Sequence, residues 1–140
     1  MKKSTSTVAQ LAKYVVLLGA AISLAACVTT KDAPNLTQLD VNFDWKPANR
    51  CSPVSPEFRI NGIPADTKTL KFLMVDLNMP TFAHGGGNVS YLGGNTIKEG
   101  SFTYVGPCPP SVHRYEFTVE AINAAGDSVL ARGKAVRAFP

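Results

Sequence analysis

Apolar and polar residues alternate with a period of two near the end of this chain, which strongly favours β-strands there. From Tyr115 to Ala121 every second residue is apolar, and the residues between them are glutamate or threonine. This period predicts a strand with one buried face, because successive side chains of a strand point to opposite sides. Asn123 to Asp127 is then a turn, and Ser128 to Phe139 the second strand of a hairpin.

The same period predicts strands earlier in the chain. Val41, Phe43 and Trp45 alternate with polar residues, so the segment that starts at Leu39 is predicted to be a half-buried strand. Glu57 to Ile60 is predicted to be a further short strand, because turn residues follow it directly.

The middle of the chain predicts the rest of an all-β fold. Thr69 to Leu77 is almost continuously apolar, which is typical of a central strand buried on both faces. The glycine-rich segment Gly85 to Gly100 predicts a loop with one short strand near Val89 to Leu92, and Ser101 to Val105 a further strand. Since no sustained helical period follows Cys27, the sequence predicts an all-β fold, either a sandwich or a sheet domain.

A targeting segment precedes the part of the chain that is expected to fold. Three lysines are followed by the apolar run Tyr14 to Ala26, which is shorter than the roughly 20 residues of a membrane span. The run ends in Leu-Ala-Ala-Cys, which resembles a bacterial lipobox, so we expect cleavage of residues 1–26 and diacylation of Cys27. An ordinary secretory signal with an incidental Cys27 is the alternative interpretation.

These features also predict the location of the protein and the limits of its domain. Residues 27–38 are expected to form a lipidated tether, and residues 39–140 the β domain. Val28 stands where an aspartate would resemble an inner-membrane retention signal. We therefore expect an outer-membrane lipoprotein of a bacterial cell envelope, facing the periplasm.

The positive charge of the chain belongs mostly to the targeting segment. The whole chain has 14 basic and 10 acidic residues and a formal net charge of +4. Three of the basic residues lie in the segment that is expected to be removed, which leaves a charge of about +1. The remaining part has no cluster of Lys and Arg typical of nucleic-acid binding, so no nucleic-acid partner is expected.

Two cysteines remain after Cys27, and the oxidising environment of the envelope favours a disulfide between them. Cys51 and Cys108 are far apart in the sequence, so their bridge would stabilise the fold by about 4 kcal/mol through the loop it closes. Two free, buried thiols are the alternative.

Three short segments carry groups that could bind an anion. Asp76 ends the predicted apolar strand, His84 follows an aromatic residue closely, and His113 comes soon after a rigid Cys-Pro-Pro turn. His113 and Tyr115 are two residues apart on a strand, so they point to the same side. Two imidazoles and a phenol can donate hydrogen bonds to a phosphate or carboxylate, and a nearby carboxylate favours a charged histidine. The glycines after His84 would let a ligand approach the backbone.

At these segments the sequence resembles the phosphatidylethanolamine-binding protein family, in its bacterial Raf kinase inhibitor-like branch. Three family motifs are Asp-Pro-Asp-x-Pro, a histidine after an aromatic residue, and Gly-x-Cys-Pro-Pro with His-Arg-Tyr. They correspond here to DLNMP, FAH and GPCPPSVHRYEF, within a resemblance that spans about Cys51 to Ala121. Leu77 and Asn78 depart from the first motif, and the stretch after His84 is shorter than in typical members.

The resemblance implies a truncated β-sandwich with a small pocket for a phosphate-type anion or phospholipid head group, and no cofactor. Asp76, His84, Pro109, His113 and Tyr115 would line this pocket. Catalysis is not expected, because the sequence lacks a metalloprotease-type spacing, a nucleophile elbow and a phosphate loop. The alternative function is that of a structural or partner-binding envelope lipoprotein with a degenerate pocket, whose protein partner the sequence does not name.

Overall fold

The computed structural model of the protein describes residues 29–140, so the predicted signal peptide and the predicted acylation at Cys27 lie outside the described residues. No helix in the described range is long and apolar enough to cross a membrane. The range forms one short 3-10 turn, Pro47–Asn49, and eight strands: β1 Lys31–Gln38, β2 Asp40–Phe43, β3 Phe58–Asn61, β4 Thr69–Asp76, β5 Ala83–Ser90, β6 Thr96–Ile97, β7 His113–Ile122 and β8 Ser128–Phe139. The all-β prediction is confirmed for this part of the chain.

Across the described residues, the larger sheet has the strand order β1-β8-β7-β4-β5. The predicted hairpin forms its centre, with β7 and β8 antiparallel and His113 opposite Phe139. β4 is antiparallel to both β7 and β5, while β1 runs parallel to β8. Asp76 lies opposite Tyr115, so this register brings the end of β4 beside the start of β7.

A smaller sheet packs against the larger one and completes the sandwich. In the described part of the chain its order is β2-β3-β6, with antiparallel pairing throughout. The predicted strand 101–105 is not formed, and this segment contributes an isolated bridge between Thr103 and Val54 instead. The buried faces of the two sheets share one apolar core.

Aromatic rings fill the centre of this core. Phe117 of β7 is fully buried, as its alternating pattern predicts. Its ring centroid lies 5.2 Å from that of Phe43, 4.9 Å from Phe58 and 5.7 Å from Tyr104. Rings from both sheets therefore meet at one residue, and their burial supplies much of the apolar stabilisation.

The opposite face of the larger sheet is exposed to solvent and charged. Arg132 contacts both Asp32 and Glu120 at 2.8 Å, and Lys134 contacts Glu116 at 2.8 Å. Exposed pairs of this kind contribute little to stability. They show, however, that nothing in the described chain covers this face.

The prediction that β4 is buried on both faces is therefore wrong. Leu70, Phe72 and Met74 face the core, whereas Lys71 and Leu73 point to solvent and Leu73 is 47% exposed. An antiparallel sheet can leave one face in water, and no second layer covers this one in residues 29–140. The apolar run indicated a strand but not the number of layers packed on it.

The predicted loop from Gly85 to Gly100 is wrong for its first part, because the three glycines belong to β5, which extends to Ser90; residues 93–95 are irregular, as predicted. A Cβ atom on Gly86 would lie 1.9 Å from the carbonyl oxygen of Phe72. A Cβ atom on Gly87 would lie 2.5 Å from the Cβ atom of Phe102. Glycine is required at both positions by close packing within the domain.

The domain begins earlier than the predicted boundary at Leu39. Most of the segment 27–38 that we predicted to be a tether is strand β1, which pairs with β8 along the edge of the larger sheet. Seven of its eight residues are exposed, so backbone pairing with β8 holds the strand in place and no buried apolar face contributes. For this reason the sequence pattern did not indicate a strand.

Candidate functional site

One pocket brings together all five residues that the sequence singled out. It has a volume of about 200 Å³ and lies at the end of the sandwich where β4 ends and β5 and β7 begin. This is below the usual range for pockets that hold drug-sized molecules, so a small ligand fits better. The five residues are Asp76, His84, Pro109, His113 and Tyr115.

Asp76, which is buried, and His113, which is partly buried, form a hydrogen-bonded pair at the base of the pocket. The Nδ1 atom of His113 lies 2.6 Å from Oδ2 of Asp76. The other carboxylate oxygen accepts hydrogen bonds from the backbone N–H groups of Asn78 at 2.8 Å and Met79 at 3.1 Å. The turn that follows β4 therefore holds the carboxylate, and the carboxylate holds the imidazole.

The hydrogen bonds around Asp76 keep it ionised. Burial raises the pKa of its carboxyl, but the bonds from His113 and from the backbone N–H groups of Asn78 and Met79 outweigh it and lower the pKa below the usual value. An ionised carboxylate cannot donate, so Nδ1 of His113 carries the proton that is shared between them.

This pKa shift leads to a prediction about stability and pH. Because the pKa of Asp76 is lower in the folded protein, its carboxylate stabilises the fold above the unfolded-state pKa of about 3.9, and this stabilisation is lost as the pH falls further. Asp76→Asn should lower the free energy of unfolding by about 1–3 kcal/mol at pH 7. The difference from wild type should shrink towards pH 2.

Urea unfolding at several pH values measures this difference. Asp66→Asn, at an exposed aspartate, serves as the control and should change stability little at any pH. A loss in the Asp76 variant that stays constant from pH 7 to pH 2 would contradict the assignment.

His84 is held by a backbone group instead of a carboxylate. It is buried, and its Nδ1 donates to the carbonyl oxygen of Val105 at 2.6 Å. Its ring packs against Phe82, with centroids 4.7 Å apart, and meets Tyr115 edge-on at 5.4 Å. These contacts fix the position of the ring at the start of β5.

Tyr115 adds a hydroxyl donor to the same space. Burial and the negative charge of Asp76 raise the pKa of this phenol to about 12. A hydrogen bond to the Asp76 carboxylate also raises this pKa, so the phenol is protonated at neutral pH and its O–H is a donor.

The two histidines consequently present the same chemistry to the pocket. Nδ1 of each ring is occupied by a fixed acceptor, so Nε2 is the nitrogen left to meet a ligand. A protonated Nε2 donates to an anionic oxygen, whereas a neutral one accepts a hydrogen bond. The pair can therefore hold a phosphate-type oxyanion when each Nε2, or the ligand oxygen that faces it, carries a proton.

A disulfide fixes the wall of the pocket. Cys51 and Cys108 are bonded, as predicted, with their Cα atoms 4.6 Å apart. The wall residues Pro109 and Pro110 follow Cys108 directly. Arg50 adds a second link, because its guanidinium donates to the carbonyl oxygen of Pro109 at 3.2 Å.

Sequence reasoning missed several residues of this site. Arg50 belongs to none of the sequence motifs, and it supports the pocket wall through a hydrogen bond to Pro109, 59 residues away in the chain. The pocket is also lined by Met79, Phe82 and Val105, whose side chains are about half exposed. The glycines after His84, in contrast, do not line it.

A larger cavity of about 660 Å³ lies nearby without containing either histidine. Its walls include Trp45 and Phe139, and cationic side chains stand at its edge. Arg137 there donates to Asn42, and Arg50 to the carbonyl oxygens of Pro109 and Pro140. Because these cations already have partners, the smaller pocket is the better candidate for an anion site.

The described residues include no group of three or more His, Cys, Asp or Glu side chains placed to hold a metal ion. In the candidate pocket, Asp76 uses both oxygens in hydrogen bonds within the protein. The groups that remain to meet a ligand are the two Nε2 atoms and the phenol of Tyr115.

The fold of the described residues is that of a known class of protein. The described part of the chain has the fold of the phosphatidylethanolamine-binding proteins. A solved structure from Chlamydia trachomatis, described as that of a phosphatidylethanolamine-binding protein homolog, matches it with a TM-score of 0.57 and 16% sequence identity, over 76% of this chain and 98% of that one.

A second solved structure has the same fold. YbcL from Escherichia coli, a member of the mammalian phosphatidylethanolamine-binding protein family, has a TM-score of 0.56 and 14% identity, over 72% of this chain and 97% of that one. No model of a known protein family and no curated protein matches the sequence. At these identities the likeness shows the fold alone.

Proposed function

We propose that this protein is a lipid-anchored envelope member of the phosphatidylethanolamine-binding family that binds a phosphate-type anion or phospholipid head group. The observation that carries the proposal is the arrangement of His84 and His113, each with Nδ1 occupied and Nε2 left for a ligand. Tyr115 lies between them in contact with both rings, at centroid distances of 5.4 and 6.2 Å.

Lipid anchoring through Cys27, and a place in the outer membrane facing the periplasm, are part of this proposal. They rest on the sequence before residue 29, where an apolar run ends in Leu-Ala-Ala-Cys. The Cys51–Cys108 disulfide supports them, because such bonds persist in oxidising compartments such as the periplasm.

The proposal assigns binding and not catalysis to the site. Hydrolysis would require a positioned nucleophile beside a base, or a metal with three protein ligands. Ser111 is close to His113 in sequence but is exposed and does not line the pocket.

Calorimetric titration with phosphoethanolamine tests the proposal. His84→Ala and His113→Ala should each weaken binding by about 10- to 100-fold, because a hydrogen bond to a charged group contributes about 1.5–3 kcal/mol. Ser111→Ala is the matched control and should bind like wild type. Thermal unfolding of each variant checks that the fold is intact.

Two results would count against the proposal. Unchanged affinity in both histidine variants would place the ligand elsewhere. No binding of phosphoethanolamine, inorganic phosphate or phospholipid vesicles to wild type would favour a structural or partner-binding lipoprotein with a degenerate pocket.

A further inference from the structure

The pocket and the start of the described chain lie at opposite ends of the sandwich. The pocket is at the end where β7 begins and β8 finishes. Lys31 is level with Ser128 at the start of β8, and its backbone N–H donates to the carbonyl oxygen of Asp127 at 2.8 Å. The chain therefore enters the domain beside the β7–β8 turn, far from both histidines.

The length of β7 gives the distance between these two ends. The strand has ten residues, His113–Ile122, and spans about 30 Å at the usual rise of 3.3 Å per residue. Cys27 precedes Lys31 by four residues, and four residues reach about 14 Å at most, whatever their conformation. The segment between Cys27 and Lys31 is thus too short to reach from one end of the sandwich to the other.

This limit matters if Cys27 carries the lipid anchor. Pressing the pocket end onto the anchoring bilayer would lift Lys31 about 30 Å above its surface, twice as far as the intervening residues can reach. The backbone bonds between β1 and β8 keep Lys31 at the opposite end of the domain.

The exposed side chains at the two ends of the sandwich differ in polarity. Among residues 29–140, exposed apolar side chains surround the pocket, and we name these five the apolar rim: Leu77, Met79, Phe82, Val105 and Val112. The end that holds Lys31 carries exposed charges, including Asp66, Lys68 and Asp127, together with the exposed side chain of Leu92. The end best suited to enter hydrocarbon is therefore the end farthest from the anchor.

From this arrangement we infer that the pocket faces away from the membrane that anchors the protein and takes its phosphate-bearing ligand from the aqueous side. The reach of the chain excludes end-on contact between the pocket and the head groups of the anchoring bilayer. The inference rests on the proposed function, both for the anchor at Cys27 and for the phosphate chemistry of the pocket.

The orientation is tested with the mature lipoprotein reconstituted into vesicles. Single variants Val112→Cys and Met79→Cys place a fluorophore on the apolar rim, and Lys31→Cys places one near the anchor. The introduced cysteine is the thiol to label, because Cys51 and Cys108 are bonded and Cys27 is acylated. A quencher attached to lipid head groups then reports on closeness to the bilayer, and iodide reports on exposure to water.

We expect the lipid-borne quencher to act on the label at residue 31, while the labels at residues 79 and 112 respond to iodide alone. Lipid-borne quenching of the rim labels that equals the quenching at residue 31 would overturn the inference. So would a blue shift of either rim label on reconstitution.

The source of the ligand is tested by phosphoethanolamine binding to the same reconstituted protein. The affinity should agree within about twofold between vesicles of phosphatidylethanolamine and phosphatidylglycerol and vesicles of galactolipids, which carry no phosphate. A loss of more than about fivefold in the phospholipid vesicles would show competition by the host bilayer and contradict the inference. Absence of binding in both would refute the proposed function, while the quenching result would still decide the orientation.

Discussion

Replacing Cys51 and Cys108 together with alanine is expected to lower the free energy of unfolding by about 4 kcal/mol. The bond joins residues separated by 57 positions, and its loss releases this long loop in the unfolded chain. A change of this size should lower the melting temperature by about 20 °C. Binding should weaken as well, because Pro109 and Pro110 of the pocket wall follow Cys108 directly.

Thermal unfolding with and without a reducing agent measures this effect. Reduction should bring wild type to the melting temperature of the double variant and leave the variant unchanged. The bonds from the N–H of Cys51 to Pro107 and from Arg50 to Pro109 remain, so the folded structure should survive at room temperature. A fall of less than about 5 °C would mean that the bridge constrains little.

Phe117→Ala is expected to cost about 3–5 kcal/mol of stability, because it empties the centre of the aromatic core. The ring is fully buried and packs against rings from both sheets, so neither sheet can close the space without moving the other. Urea unfolding followed by far-ultraviolet circular dichroism measures the loss.

Leu73→Ala provides the matched control for this variant. Leu73 lies on β4, next to the register position of Phe117, but points to the solvent face and is 47% exposed. Its truncation should change the free energy of unfolding by about 0.5 kcal/mol or less. Similar losses in the two variants would show that the assignment of core and solvent faces is wrong.

The contrast between Phe117 and Leu73 shows how far sequence patterns could predict this fold. Strict alternation along β7 indicated which side chains are buried, because a period of two places them on one face. The unbroken apolar run of β4 did not contain that information. The outer face of β4 is exposed because no layer covers it in the described chain. The number of layers that pack on a strand depends on the whole tertiary structure and not on the sequence of that strand.

The glycine run after His84 was misinterpreted for a related reason. Glycine favours loops, but Gly86 and Gly87 are needed where Phe72 and Phe102 approach β5 closely. Those neighbours are 14 and 15 residues away in the sequence, so local composition could not reveal them. Strand β1 was missed because its side chains are largely exposed and show no alternation of apolar and polar residues.

Most of the candidate site could be predicted because its residues lie in short motifs near strand ends. Asp76, His84, His113 and Tyr115 were candidates by their residue types and their places near strand ends. Their convergence in one pocket, and the place of Pro109 in its wall, came from the family resemblance. The contribution of Arg50 and the apolar rim depends on how distant loops meet, which no local motif records.

Imidazole nitrogen-15 resonances, followed during a titration with phosphoethanolamine, test the central claim most directly. The chain contains two histidines, and both are in the pocket, so the spectrum reports on the site alone. The account predicts that the Nε2 signals of His84 and His113 shift together along one saturation curve, while each Nδ1 keeps its proton. Nε2 signals that stay unchanged at saturating ligand, or a shift confined to one histidine, would contradict it.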